Sequence, residues 1–215
     1  EMPAMAAALV TLGTLDLPQL KTLVPELDRA HKTLGNLQKD FWEMMGKPKA
    51  QRRADLPKQY TDTVNTLLDV MEKLSPTLAA TVNHQDATID QLLAIKQIAW
   101  LLRNTAGEAS LIVSTGLGAG KIAPEARAAY AKFAGGVESA WNALELTASG
   151  MQLPPALAQA IAANKTAYFE PKYLELRDRL VNALATGTEK PELSANQWTP
   201  LTVGRLGAAV AVAEG

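Results

Sequence analysis

The chain has no cysteine, few aromatic residues and no excess of charge, and each of these absences excludes a class of protein. Without cysteine it has no structural disulfides, no thiolate metal sites and no thiol catalysis. The formal net charge is -1 and no long run of one sign occurs, which argues against a nucleic-acid surface because such a surface needs clustered basic residues. An acidic interaction tail is equally absent.

The composition of the apolar residues indicates a helical protein. Hydrophobic residues make up 47% of the 215 residues, aromatic residues only 5%, and alanine and leucine are the main apolar types. This composition suits helix–helix packing, because the β-branched and aromatic residues that favour strands are sparse. The sequence therefore predicts an all-α fold, with enough length for one large or two small domains.

The chain contains a diverged copy of itself. Residues 7–13 (AALVTLG) are similar to residues 109–116 (ASLIVSTG), and a short break and a proline follow each copy. A long amphipathic stretch then ends near Trp42 in one copy and near Trp141 in the other. Because self-similarity of this kind reflects a repeated architecture, we predict two tandem antiparallel helical bundles, one in residues 1–87 and one in residues 88–215.

Hydrophobic periodicity and helix-ending residues predict six helices, over residues 16–45, 55–74, 78–113, 124–150, 154–185 and 194–212. Pro171 is expected to kink the fifth of them. The third, from about Thr77 to Val113, has roughly 38 residues and would span about 57 Å at about 1.5 Å per residue. That length exceeds the height of one small bundle, so we expect both bundles to share this helix as a long central element.

The residues needed for catalysis or metal binding are missing. The two histidines, His31 and His84, lie far apart, and no His-Glu pair at helical spacing marks a metal site. Residues 116–121 (GLGAGK) look like a phosphate-binding loop but follow a helix and lack the Gly-Lys-Ser/Thr ending. We therefore predict that this chain is not an enzyme and binds neither a metal nor a cofactor.

Polar side chains interrupt the apolar face of the predicted third helix. Lys96, Arg103 and Ser110 recur every seven residues, in phase with apolar positions. A guanidinium that faces the interior of a bundle is costly unless it is paired. Arg103 has two possible partners: a buried carboxylate such as Glu138 or Glu145, or a small anionic ligand that its planar fork binds through two hydrogen bonds.

The tryptophans allow two interpretations as well. Trp42, Trp100, Trp141 and Trp198 lie on four different predicted helices, as core anchors would. Three of the four fall in the second bundle, together with Tyr168, Phe169 and Tyr173. The alternative to simple packing is an aromatic-walled pocket in which Arg103 and Arg177 make the polar contacts.

The stretch Trp100–Ser110 (WLLRNTAGEAS) resembles the extracytoplasmic all-helical sensor domains of bacterial transmembrane receptors, such as sensor histidine kinases and methyl-accepting chemotaxis proteins. Those domains often carry a Trp-x-x-Arg-x-x-x-Gly-x-x-Ser pattern on a long helix. They also carry a later Trp on the next helix, a Tyr-x-x-Leu-Arg segment and a Ser-x-x-x-Trp-Thr helix start. The counterparts here are Trp141, residues 173–177 and residues 194–199.

The resemblance implies a periplasmic sensor domain of an inner-membrane receptor, with a histidine kinase as the parent in preference to a chemoreceptor. It implies a small-molecule ligand, a homodimer, and membrane helices that flank this chain and are absent from it. If there is a ligand pocket, we place it in the second bundle, with an anion such as a carboxylate on Arg103. The predicted ligand-binding residues are Trp100, Arg103, Ser110, Trp141, Tyr173, Arg177 and Trp198.

The alternative function is that of a structural or partner-binding helical protein without a small-molecule site. This alternative predicts an exposed apolar groove, whereas the sensor hypothesis predicts an enclosed polar pocket. A cofactor-binding helical bundle, as a third class, lacks the ligand residues that it would need.

Overall fold

The computed structural model describes residues 2–215, apart from the side chains of Met2 and Lys49. Over these residues the regular secondary structure consists of α-helices and one 3₁₀ turn, without a β-strand. The predicted all-α fold is confirmed. The chain divides into two compact units, one that ends at Asn83 and one from His84 to Gly215.

The first unit is built on a helical hairpin. Its helices are α1 (Met2–Leu12), α2 (Leu20–Met45) and α3 (Leu56–Val82), with a 3₁₀ turn (Lys49–Gln51) between the last two. Near this turn, the Phe41 ring on α2 lies 5.7 Å from the Tyr60 ring on α3. At the other end of the hairpin the core consists of Leu20, Leu27, Val70 and Leu74, and α1 packs against α2 there.

The second unit is arranged around one central helix. Its helices are α4 (Ala87–Ala119), α5 (Pro124–Ser149), α6 (Pro155–Tyr168), α7 (Pro171–Thr186) and α8 (Ala195–Glu214). Helix α4 packs against α5, α7 and α8, and α6 packs against α8. The hydroxyls of Ser114 and Thr199 are hydrogen-bonded at 2.9 Å, so the start of α8 lies beside the end of α4.

The end of α4 makes a close approach to α7 that only glycine allows. A Cβ on Gly116 would lie 2.5 Å from the Ile122 side chain and 3.2 Å from that of Leu184. The Ile122 amide donates a hydrogen bond to the Leu184 carbonyl at 3.0 Å, which joins the start of α5 to the end of α7. The sequence Gly116–Lys121 is thus a helix end, as predicted, with Gly120 in the left-handed conformation.

The prediction of one long central helix from Thr77 to Val113 is wrong, because α3 and α4 are separate helices. Asn83 leaves the helical conformation with ψ 143°, and His84 adopts a positive φ of 65°. The Asp86 carboxylate then accepts hydrogen bonds from the amides of Thr88 and Ile89 and caps the start of α4. Pro76, where the sequence predicts a helix start, lies inside α3.

Pro171 separates two helices where the sequence predicts one kinked helix over residues 154–185. Helix α6 ends at Tyr168, and Glu170 has φ -58° and ψ 122°, outside the helical region. Pro171 then starts α7, a position where proline is favoured because the missing N–H would have no intrahelical partner.

The packing of the tryptophans differs between the two copies of the predicted repeat. Helices α2 and α5, which carry Trp42 and Trp141, both have 26 residues. In contrast, Trp42 is 67% exposed and Trp141 only 5%. The prediction that all four tryptophans are core anchors is therefore wrong for Trp42. That the two copies follow the same path in space stays a prediction.

Asn164 on α6 is a polar residue inside the core of the second unit. It is fully buried, and neither its amide nitrogen nor its oxygen has a hydrogen-bond partner among the described residues. Of its neighbours one turn away on α6, Tyr168 belongs to the hydrophobic core, and the partly buried Ala160 and Ile161 pack against that core. A buried amide that loses its hydrogen bonds to water and gains none destabilises the folded state.

Replacing Asn164 with leucine, which has a similar shape, should therefore raise the free energy of unfolding by about 1–3 kcal/mol. Urea unfolding measures this change. The matched control is Asn142→Leu on the exposed face of α5, which should change the stability by less than about 0.5 kcal/mol. A less stable Asn164→Leu variant contradicts the prediction and means that the amide is hydrogen-bonded in solution.

Candidate functional site

All seven predicted ligand-binding residues lie in the second unit, and five of them belong to one packed region of its interior. Trp141 on α5, Tyr173 and Arg177 on α7, Trp198 on α8 and Ser110 on α4 are all buried. Trp100 and Arg103 on α4 are only half-buried. The five buried residues thus belong to the interior of the second unit, whereas Trp100 and Arg103 lie at its edge.

Trp198 links three helices. Its side chain is fully buried, and its indole Nε1 donates a hydrogen bond to the Ser110 carbonyl at 3.2 Å. Its ring stacks on Tyr173 with 5.8 Å between centroids and 8° between planes. The Tyr173 hydroxyl is hydrogen-bonded to that of Thr202 at 3.1 Å. The polar groups of Trp198 and Tyr173 are therefore hydrogen-bonded within the core, Trp198 to the Ser110 carbonyl and Tyr173 to Thr202.

A chain of aromatic contacts continues from Tyr173 to the break between α6 and α7. The Tyr173 ring lies 5.7 Å from Tyr168, and Tyr168 lies 5.2 Å from Phe169. Phe169 in turn packs on Trp141 with a centroid distance of 4.8 Å. These contacts explain the burial of Trp141, which packs against the break itself.

Arg103 lies beside the core-facing line of α4 and not on it. That line consists of Ile95, Ala99, Leu102, Ala106, Ala109 and Val113. The Arg103 guanidinium donates a hydrogen bond to Asn104 Oδ1 at 3.2 Å and lies over the Trp100 ring at 5.9 Å. Lys96, assigned to the same stripe, is exposed. Glu145, offered as a partner for Arg103, is instead paired with Lys165 at 2.7 Å.

Arg177 is the guanidinium that the fold buries. Only 7% of the residue is exposed, and its Cζ lies 5.7 Å from the centre of the Tyr130 ring. Its Nε is 3.7 Å from Asp178 Oδ1 and has no hydrogen-bond partner in the part of the chain that the structure describes. The Tyr130 hydroxyl donates to the same Asp178 oxygen at 3.3 Å. Arg177 thus carries a buried charge that is incompletely hydrogen-bonded.

Burial lowers the pKa of Arg177, but the negative charges of Tyr130 and Tyr168 when ionised, followed by that of Asp178, outweigh it, so that the net direction is upward. Arg177 carries a positive charge, because an arginine side chain is not deprotonated in proteins.

A cavity of about 220 Å³ lies between α5 and α7. Its lining consists of Arg127, Tyr130, Ala131, Asp178, Val181 and Asn182. Tyr130 and Val181 are buried and form the floor, whereas Arg127, Asp178 and Asn182 are exposed at the rim. Tyr130 and Asp178, which contact Arg177, are thus also walls of the cavity. Sequence reasoning missed Arg127, Tyr130, Asp178 and Asn182, because no local pattern distinguishes them from other surface residues of a helix.

Arg205 on α8 is a second guanidinium that the sequence analysis did not place in the site. Its Cζ lies 4.4 Å from the centre of the Tyr173 ring, and its Nη2 donates to Glu170 Oε2 at 2.9 Å. Glu170 is one of the two residues between α6 and α7. This ion pair connects the segment between α6 and α7 to α8.

Comparisons with protein-family models, with curated proteins and with solved structures found no match for this chain. Among the described residues, none of the helices combines the length and the hydropathy needed to cross a membrane. The same part of the chain contains no group of three or more His, Cys, Asp or Glu residues placed to hold a metal ion.

The buried tyrosines predict a loss of stability at alkaline pH. Burial raises the pKa of Tyr168 to about 12, and it also raises the pKa of Tyr130 and Tyr173. In the unfolded chain tyrosine ionises near pH 10. Between these values the folded state keeps protons that the unfolded state has lost, so the free energy of unfolding should fall as the pH rises above about 10.

For Tyr168 alone the fall is at most about 1.4 kcal/mol per pH unit. Urea unfolding at a series of pH values from neutral to alkaline measures it, and Tyr168→Phe should show a shallower decline than the wild type. Equal declines in both proteins would show that Tyr168 ionises freely in the folded state.

Proposed function

We propose that this chain is the periplasmic sensor domain of a transmembrane receptor, and that its second unit binds a small anionic ligand between α5 and α7. The observation that carries the proposal is the buried Arg177 guanidinium, incompletely hydrogen-bonded and in contact with two walls of the cavity. Retaining a buried charge costs free energy, and a ligand site is one reason for a protein to do so.

The charges around the cavity favour an anion. Arg127 and Arg177 supply two guanidinium groups against the single carboxylate of Asp178. Arg127 has no ion pair within 4 Å and no hydrogen bond from its side chain among the described residues. A guanidinium binds carboxylates and other planar anions through two parallel hydrogen bonds, which makes Arg127 the direct contact.

The position of the cavity suits a relay of ligand binding to the central helix. Arg177 and Asp178 lie on α7, which packs against α4 and also against α5. The break at Phe169–Glu170 makes α7 a separate helix of 16 residues. A ligand that bridges α5 and α7 changes their spacing, and packed helices respond to such a change by moving between discrete arrangements.

The receptor context of the proposal rests on the resemblance of residues 100–110, 141, 173–177 and 194–199 to extracytoplasmic sensor domains. In that context the parent is a sensor histidine kinase in preference to a chemoreceptor, the domain works as a homodimer, and flanking membrane helices carry the signal. The domain itself catalyses no reaction and needs no metal or cofactor.

One observation favours the alternative, a structural or partner-binding helical protein. Large apolar side chains are exposed on the second unit, among them Leu101 and Leu111 on α4, Leu146 on α5 and Val203 on α8. An exposed apolar side chain can serve as a contact for another protein. On this alternative the cavity between α5 and α7 has no ligand.

A thermal-shift screen of small carboxylates and nitrogen oxyanions tests the proposed site. A ligand that raises the melting temperature of the wild type should lose its effect on Arg127→Gln, because the substitution removes the charge that contacts it. Arg103→Gln is the matched variant on α4 and should keep the full effect. The opposite pattern places the ligand at the Trp100–Arg103 edge of α4, and no ligand effect on the wild type supports the partner-binding alternative.

A chimeric receptor tests the signalling role. Residues 1–215 replace the periplasmic part of a histidine kinase of known output, between its two membrane helices. The ligand found in the screen should change kinase output in the chimera, and Arg127→Gln should abolish the response while membrane levels of the protein stay equal. A chimera that binds the ligand without any change of output overturns the sensor function and leaves the binding site intact.

A further inference from the structure

The closed end of the α2–α3 hairpin, residues 39–58, exposes large apolar side chains to water. This segment is called the hairpin tip below. Trp42 is 67% exposed and Met45 is 47% exposed. The two residues are three apart on α2, so their side chains are neighbours on the same side of the helix. A patch of adjoining exposed apolar side chains is one of the marks of an interaction site.

Other rings of the hairpin support the exposed Trp42 ring. Trp42 packs edge-on against Phe41, with 5.9 Å between the ring centroids and 81° between the planes. Phe41 in turn lies 5.7 Å from the Tyr60 ring on α3. The indole is therefore supported from one side by the hairpin, while most of its surface remains available for contact.

Arg52 places a positive charge directly beside Met45. Its Nε donates a hydrogen bond to the Lys47 carbonyl at 2.9 Å, and its Nη2 donates to the Met45 carbonyl at 3.3 Å. Its Nη1 lies 3.7 Å from the Met45 sulfur. These partners are backbone carbonyls and a thioether, so among the described residues no carboxylate neutralises the charge of this guanidinium.

The carboxylates of the hairpin tip are paired with other basic residues. Glu43 pairs with Lys47 at 2.8 Å. Asp40 and Asp55 both pair with Arg53, at 3.3 Å and 3.0 Å. The acidic residues nearest to the apolar patch in sequence are therefore already engaged and do not offset the charge of Arg52.

The hairpin tip as a whole has a surplus of positive charge. Residues 39–58 contain six basic and three acidic residues, a net charge of +3, in a chain whose total is -1. Lys39 is exposed and has no ion-pair partner in the part of the chain that the structure describes. It lies one turn before Trp42 on α2, whereas Arg52 lies beside Met45, so both ends of the apolar patch carry a cation without a carboxylate.

These features favour an anionic lipid surface as the occupant. Tryptophan is enriched at membrane–water interfaces because its ring is largely apolar and its N–H is polar. Lysine and arginine beside such a ring add electrostatic attraction to anionic headgroups. Because α1 packs at the other end of the hairpin, the hairpin tip projects beyond the rest of the first unit. A projecting end can touch a flat surface, whereas a partner helix needs a groove.

We propose that the hairpin tip binds the surface of membranes that contain anionic phospholipids. Trp42 and Met45 enter the region between the headgroups and the acyl chains, while Lys39 and Arg52 contact lipid phosphates. This function belongs to the first unit, goes beyond the proposed ligand binding of the second unit and does not depend on it.

Sedimentation of the whole chain with lipid vesicles tests the inference. The protein should bind vesicles made of phosphatidylglycerol and phosphatidylcholine in equal parts. It should bind vesicles of phosphatidylcholine alone at least about tenfold more weakly, because each basic residue near an anionic surface contributes a factor of about five. No binding to the mixed vesicles, or equal binding to both kinds, overturns the inference.

Substitutions in the hairpin tip distinguish a specific contact from a general attraction between charges. Trp42→Ala should weaken binding to the mixed vesicles by about tenfold or more, because the burial of a large apolar side chain is lost. Lys39→Gln should weaken binding by about fivefold. Leu146→Ala, at a residue that is 76% exposed, and Lys132→Gln are the matched controls on α5 and should bind as the wild type does. Binding that Trp42→Ala leaves unchanged overturns the inference.

Tryptophan fluorescence shows whether the indole itself enters the lipid. The emission of the wild type should shift to shorter wavelength on the mixed vesicles, and Trp42→Phe should lose this shift. A shift that persists in Trp42→Phe overturns the inference, because another tryptophan then contacts the lipid. A protein that does not bind vesicles, but whose Trp42 emission shifts with a glutamate-rich amphipathic peptide, also overturns it and assigns the hairpin tip to a protein partner.

Discussion

The second unit depends on the burial of Trp198. This one side chain bonds α8 to the Ser110 carbonyl on α4 and stacks on Tyr173 of α7, so it sets the positions of three helices at once. An aromatic side chain of this size contributes strongly to core stability, and its N–H needs a partner when buried. From Tyr173 the ring contacts continue through Tyr168 to the break before α7, and Arg177 follows Tyr173 by one turn.

The aromatic core also determines which arginine side chains are buried in the second unit. Arg177 and Arg205 both lie against tyrosine rings, and each lies within 4 Å of a carboxylate, Asp178 or Glu170. Ring faces partly offset the loss of water around a guanidinium, and these carboxylates supply the opposite charge. The pairing of Arg177 is the looser of the two, at 3.7 Å against 2.9 Å.

Sequence reasoning succeeded for helix ends with strong local signals and failed where periodicity crosses a loop. Gly120 marks the end of α4 and Pro124 marks the start of α5, because both residues act through their own backbone conformation. The break between α3 and α4, residues 83–86, was not predicted from the sequence. Val82 and Ile89 on either side of it are seven residues apart, which is the spacing expected within one continuous helix. Both of these side chains are more than a third exposed, so their seven-residue spacing does not reflect a buried helix face.

By itself the sequence determined the helical class, the absence of disulfides and those helix ends that have strong local signals, all of which follow from composition and local backbone preferences. Only the tertiary structure decided which arginine is buried. Consecutive residues on a helix differ by about 100° in direction, so Leu102 faces the core while Arg103 lies at its edge. Arg177 meets Tyr130 across 47 residues of chain through the packing of α5 and α7. No local pattern encodes such a contact, because it depends on how two separate helices pack together.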